Sequence, residues 1–141
     1  MAKAIFYQNE RIEYTDAKTG AHLIQLTSYP VPSFCLPYVN TNFTPDSKTL
    51  VFLSQREARR DAPWDLFRVE ADGSGLTQLT DFDDLSGPVL APDGKRVYFR
   101  RANRLWYVDM DTQHEEEIGH CEGVHGGGIG CISPDGRYYF T

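Results

Sequence analysis

The chain has 141 residues, a formal net charge of −6, 12 Gly, 8 Pro and 13% aromatic residues. Its length suits one domain, the Gly, Pro and aromatic content favours strands and turns over helices, and the acidic balance argues against nucleic acid as a partner, since phosphate binding needs a basic surface. No apolar run is long enough to span a membrane, and residues 1–30 lack the charged-then-apolar order of a signal peptide, so no membrane partner is expected.

The predicted elements begin with a strand pair. Arg11–Thr15 leads through Asp16–Gly20 into His22–Thr27. A tight turn then follows at Phe43-Thr44-Pro45-Asp46-Ser47-Lys48, with the apolar run Leu50–Leu53 behind it. Asp65–Val69 and Leu76–Thr80 complete that unit, and Gln78-Leu79-Thr80 matches Gln25-Leu26-Thr27 letter for letter. The turn returns as Leu90-Ala91-Pro92-Asp93-Gly94-Lys95 before Val97–Phe99, then Arg104–Val108 and Glu115–Ile118. It comes a third time as Ile132-Ser133-Pro134-Asp135-Gly136-Arg137 before Tyr138–Phe140.

Pro presets φ for the first central position of a type I turn, Asp suits the second, and Gly takes the left-handed position of a three-residue hairpin loop. Ser47 stands where the other copies have Gly, at a cost of about 1 kcal/mol for a non-glycine residue at positive φ. Each turn is therefore a hairpin. Four short strands per repeat of forty-odd residues is the signature of propeller blades, and mixed apolar faces such as Leu50-Val51-Phe52-Leu53 fit sheets covered on both sides. A β-sandwich is the competing reading, and three copies of one turn at near-constant spacing disfavour it.

The fold class expected is all-β: a β-propeller segment of about three four-stranded antiparallel blades, with the ring incomplete. It divides into an orphan outer pair at 11–27, blades at 37–81 and 86–119, and the first hairpin of a further blade at 126–141. Open blade edges expose apolar surface and unpaired backbone groups, so self-association is expected. Cys35, Cys121 and Cys131 are an odd number and read as reduced thiols, which places the protein in the cytoplasm.

With the repeats laid out, the chain resembles TolB-type propeller repeats, whose hallmark is a Ser/Thr-Pro-Asp-Gly-Lys turn. More narrowly it resembles the N-terminal part of the oligogalacturonate lyase family of seven-bladed propellers. The residues that carry this are Tyr14-Thr15-Asp16 with Thr19-Gly20, Gln25-Leu26-Thr27-Ser28, Tyr38 through Phe43-Thr44-Pro45-Asp46, Leu50-Val51-Phe52, Asp65-Leu66-Phe67 and Gln78-Leu79-Thr80-Asp81. The resemblance implies β-elimination on pectin-derived oligouronates, with a catalytic His and a divalent metal such as Mn²⁺ held mainly by His residues. A base would take the proton α to the uronate carboxyl while the cation stabilises the enolate-like charge. It also implies that these ligands lie in later blades. No metal ligand or catalytic residue is therefore assigned to this chain, which is expected to be inactive alone, and the partner expected of the complete protein is an acidic oligosaccharide. Two alternatives stay open: a non-catalytic, TolB-like protein-binding propeller, and the accessory propeller of a serine peptidase.

Propeller ligands sit at the central channel, fed here by Pro37–Asn42, Ser86–Leu90 and His125–Cys131. Asn40, Asn42 and His125 are the candidate polar contacts, with strand-end hydrogen bonding the simpler role for the asparagines. His125-Gly126-Gly127-Gly128 has the look of a lipase oxyanion motif, but no Gly-x-Ser-x-Gly elbow accompanies it; glycines that let a strand pass close to the axis fit better. His120, Cys121, His125 and Cys131 include soft metal ligands, yet lack a Cys-x-x-Cys pair. Arg56 and Arg101 are candidates for carboxylate binding, as members of two groups, Arg56, Arg59 and Arg60, and Arg100, Arg101 and Arg104. Solvated pairing with Glu57, Asp61 or Asp65 is the competing role. Trp64 and Trp106 read as inter-blade packing.

Overall fold

The computed structural model describes residues 5–120 and 128–141. Two four-stranded antiparallel sheets form its centre. The first consists of β3 (Ser33–Cys35), β4 (Thr49–Ser54), β5 (Asp65–Glu70) and β6 (Thr77–Gln78), in that order. The second runs β7 (Leu85–Leu90), β8 (Arg96–Arg101), β9 (Arg104–Asp109), β10 (Glu115–His120). A two-stranded sheet lies at either end: β1 (Ile12–Thr15) with β2 (His22–Gln25), and β11 (Cys131–Ile132) with β12 (Tyr139–Phe140). All ladders are antiparallel, so the chain is an all-β segment of a propeller.

The three Pro-Asp turns share one hydrogen-bond pattern. Thr44 N–H donates to Thr49 O at 2.9 Å, Ala91 N–H to Arg96 O at 2.8 Å, and Ser133 N–H to Tyr138 O at 2.9 Å. The left-handed residue of each turn donates back across it, as Ser47 to Thr44, Gly94 to Ala91 and Gly136 to Ser133. Ser47 has φ +59°, alongside +72° and +71° for the two glycines, so it takes the strained conformation its position demands. The Asp side chain adds a brace: Asp46 Oδ1 accepts from Thr44 Oγ1 at 2.7 Å and Lys48 N at 3.1 Å, and Asp135 accepts from Ser133 Oγ and Arg137 N. These hydroxyl bonds hold both carboxyls below their ordinary range.

Alternation along the strands sends side chains to both faces of each sheet. Between the two full sheets, Val51, Leu66 and Leu79 of the first meet Val97, Phe99 and Val108 of the second, all fully buried. The other face of the first sheet carries Phe52, Phe67, Val69 and Leu76 with the partly buried Leu50, and Tyr7 and Leu26 partly cover it. Residues 5–7 run along the outer edge of that sheet as a strap, with Tyr7 N–H donating to Leu76 O at 2.8 Å and Gln78 N–H to Ile5 O at 3.1 Å. The strap blunts an edge that would otherwise offer unpaired backbone groups.

Ser47→Gly should raise stability by about 0.5–1 kcal/mol by relieving the left-handed strain, net of the greater entropy of an unfolded glycine. Urea denaturation of the two proteins would measure it, and no gain would mean that the Ser47 backbone is unstrained.

Candidate functional site

The innermost strands of a propeller are β3, β7 and β11, and their departures from regular pairing shape whatever faces the channel. In β7 the register slips between Ser86 and Val89, a bulge at Gly87-Pro88. The first sheet departs further. Cys35 pairs with Phe52, but the next inner pairing is Phe43 with Leu50, so residues 36–41 loop out of the strand. Asn42 closes the neck of this excursion: its Oδ1 accepts from Leu36 N–H at 2.6 Å, while its carbonyl accepts from Val51 N–H at 2.8 Å. Asn40 reaches across to the third inner edge, its Nδ2 donating to Gly130 O at 2.9 Å.

That third edge presses against the bulge. A Cβ on Gly130 would lie 2.3 Å from Tyr139 Oη and 2.5 Å from Gly87 O, and the Tyr139 hydroxyl donates to Gly87 O at 2.9 Å. Only glycine tolerates this approach. The inner edges of three successive blades are thus joined at Asn40, Gly87 and Gly130. At the tip of the excursion Tyr38 is 89% exposed, an aromatic face beside the inner edge of the kind that stacks on ring ligands. The sequence placed it in a channel-feeding segment and in the family resemblance but did not single it out as a ligand contact; the turn formers Pro37 and Asn40 on either side were the available signal.

The remaining candidates are placed as follows. Arg56 Nη1 donates to Glu10 Oε1 at 2.8 Å, and both side chains are about nine-tenths buried. Its guanidinium lies 4.5 Å from the Tyr7 ring centroid and 4.9 Å from that of Phe67, a clamp between the N-terminal segment and the first full sheet. Burial pushes the Glu10 carboxyl up, but the Tyr29 and Ser28 N–H groups and Arg56 outweigh it and hold it below its ordinary value. Arg101 Nε donates to Asp84 Oδ1 at 2.8 Å, over the Phe82 ring. Arg59 pairs with Glu57 and Arg104 with Glu117, while Arg100 is fully buried. Trp106 packs with Phe82 against the inter-blade core and Trp64 against Phe34. His125 and Cys121 lie outside the described residues; among those described, no group of three or more His, Cys, Asp or Glu is placed to hold a metal. The implied Mn²⁺ therefore finds no fitting ligand set among the described residues.

Among the described residues Asp65 has the most displaced carboxyl, pushed up to about 6 by burial against the pull of Phe82 N–H and the Thr80 hydroxyl. Its oxygens accept from Phe82 N at 2.9 Å, Thr80 Oγ1 at 3.0 Å and Gln78 Nε2 at 3.3 Å. These bonds pin the end of the outer strand to β5, so Asp65 acts as a structural brace within the first sheet.

This architecture defines a β-propeller segment built on TolB-like repeats. The sequence matches no family profile and no curated protein. Among solved structures it is similar to an oligogalacturonate lyase in complex with manganese, 26% identical with a TM-score of 0.81, covering 96% of this chain and 36% of that one. An oligogalacturonate lyase from Vibrio parahaemolyticus is 20% identical with a TM-score of 0.80, over the same 96% and 36%. A putative TolB from Agrobacterium tumefaciens is 22% identical with a TM-score of 0.57, covering 89% of this chain and 47% of that one. The chain therefore spans little more than a third of the length of the lyases it resembles, and the expected likeness to them is shown in the fold.

Asn42→Ala should cost about 1–3 kcal/mol, because the N–H of Leu36, a residue only 2% exposed, loses its acceptor; an unchanged urea midpoint would show that the neck needs no such bond. Asp65 also makes stability depend on pH. Its folded pKa lies above the unfolded value, so its contribution is present below about pH 4 and is lost as pH rises through about 6, on the order of 3 kcal/mol in all. Asp65→Asn should flatten the stability profile between pH 4.5 and 7, where the turn carboxyls are already ionised in both states. An unchanged slope in urea titrations would assign the dependence elsewhere.

Proposed function

We propose that this chain forms the first blades of an oligogalacturonate lyase-like propeller, whose complete form carries out β-elimination on pectin-derived oligouronates with a divalent metal. The observation that supports the reading most is the 0.81 TM-score over 96% of the chain to a lyase holding manganese. In this reading the segment contributes scaffold and one wall of the channel: Tyr38 and the edge tied by Asn40 and Gly130 face an acidic oligosaccharide, and His125 is a further candidate for that wall. The proton abstraction and the metal belong to other blades. A cytoplasmic location fits the exposed free thiols of Cys35 and Cys131.

A second reading is a non-catalytic, TolB-like propeller that presents a rim to a protein, which the likeness to the Agrobacterium protein supports. The test is to assay unsaturated digalacturonate, with and without Mn²⁺, using the 141-residue chain and any longer reading frame that contains it. The short chain should be silent and the longer one active only with metal. A longer protein with no metal-dependent turnover would sink the lyase reading, and turnover by the short chain alone would overturn the placement of the chemistry in other blades.

A further inference from the structure

The excursion from the first inner strand combines two features that set what it can hold. Its residues, Leu36-Pro37-Tyr38-Val39-Asn40-Thr41, carry no acid and no base beyond the Tyr38 phenol. Its tip is a β-turn: Asn40 N–H donates to Pro37 O at 2.8 Å, which puts Tyr38 and Val39 at the two central positions. Both face solvent, at 89% and 57% exposure, whereas Leu36 at the base of the loop is buried.

The turn is held on both sides. Asn42 Oδ1 fastens its base at Leu36 N–H, and Asn40 Nδ2 fastens its flank to Gly130 O. A tyrosine at the tip of a turn braced in this way keeps its place without a ligand. Stacking on it then costs little more than the rotamer freedom of one ring.

The two arginines expected to read a carboxylate are engaged away from this tip. Arg56 pairs with Glu10 and lies over the Tyr7 and Phe67 rings. Arg101 pairs with Asp84 and lies over the Phe82 and Trp106 rings. The net charge of −6 adds a field that repels anions. What the loop itself offers is the π face of Tyr38 with Val39 beside it. An aromatic face is negative at its centre, so it attracts the C–H face of a saturated ring and disfavours a carboxylate.

We propose that the Pro37–Asn40 turn is a charge-blind sugar subsite, in which Tyr38 stacks on the C–H face of one pyranose ring whether the carboxyl of that ring is free or esterified. The ligand class rests on the lyase reading, and the indifference to charge rests on the loop. The ligands of this wall then extend from oligouronates to their methyl esters, and recognition of the free carboxylate falls to other parts of the ring.

Titrating the 141-residue chain with trigalacturonate and with its methyl ester, followed by ligand-observed NMR, tests this. Both sugars should show upfield ring-current shifts, and the ester should bind at least as tightly as the acid. Raising salt from about 50 to about 300 mM should not weaken the acid, because screening then removes repulsion rather than attraction. Tyr38→Ala should erase the shifts and weaken both ligands about fivefold or more, while Tyr38→Phe and Tyr38→Trp should retain both. If Tyr38→Ala loses its β-sheet circular dichroism, the ester and salt comparisons on the wild type decide. Tighter binding of the acid, affinity that falls with salt, shifts that survive Tyr38→Ala in a folded protein, or no shift in either sugar would overturn the proposal. The metal-dependent assay fails or succeeds separately. Turnover by a longer protein without Tyr38-dependent shifts removes only this subsite, and Tyr38-dependent binding without turnover removes only the lyase reading.

Discussion

Everything in this chain depends on the apolar contact between successive sheets. A short, twisted four-stranded sheet with apolar residues on both faces cannot persist in water as a single layer. Val51, Leu66 and Leu79 on one side and Val97, Phe99 and Val108 on the other are removed from solvent together. Each such side chain is worth about 1.5–3 kcal/mol when fully buried, so this seam outweighs any single hydrogen bond in the structure. The same logic acts at the far face of the first sheet, where Tyr7, Leu26 and the N-terminal strap supply a partial second layer. It also explains why apolar exposure gathers at the two ends, where the next layer is only half present.

The fold was legible because its defining unit is local. A Pro-Asp-Gly turn sets its own backbone geometry, and Ser47 at φ +59° shows that the position dictates the conformation even when the residue resists it. The role of the residue before proline was less visible. In two copies its hydroxyl bonds the turn Asp, and Thr44 also caps Thr49 N–H at 3.1 Å, whereas Ala91 fills the position in the copy that manages without it. The excursion at residues 36–41 was not legible either. An inner strand that resumes pairing after a loop leaves no periodic trace, and the bond that closes it joins Asn42 to Leu36 by side chain rather than by pattern.

The fates of the arginines were legible only as alternatives. Composition cannot say whether a guanidinium meets a ligand or a carboxylate of its own chain, because that depends on contacts distant in sequence. Glu10 lies 46 residues from Arg56, and Asp84 lies 17 from Arg101. Burial then decides their weight: the Arg56–Glu10 pair is enclosed by aromatic rings, so breaking it would strand a charge, while the Arg59–Glu57 pair is exposed and worth little.

This distribution of charge bears on the chemistry proposed. An oligouronate brings negative charge to a chain that already carries −6, and Arg56, Arg59, Arg101 and Arg104 are each matched to a carboxylate within the segment. Under the proposed reading, these four arginines leave much of the attraction for such a ligand to cations elsewhere. What this segment can offer the ligand is shape: an aromatic ring at Tyr38, carried on a loop whose neck is closed by Asn42 and whose far side is tied to the third blade through Gly130. A surface held that firmly loses little entropy on binding, which is the contribution the proposed reading asks of this segment.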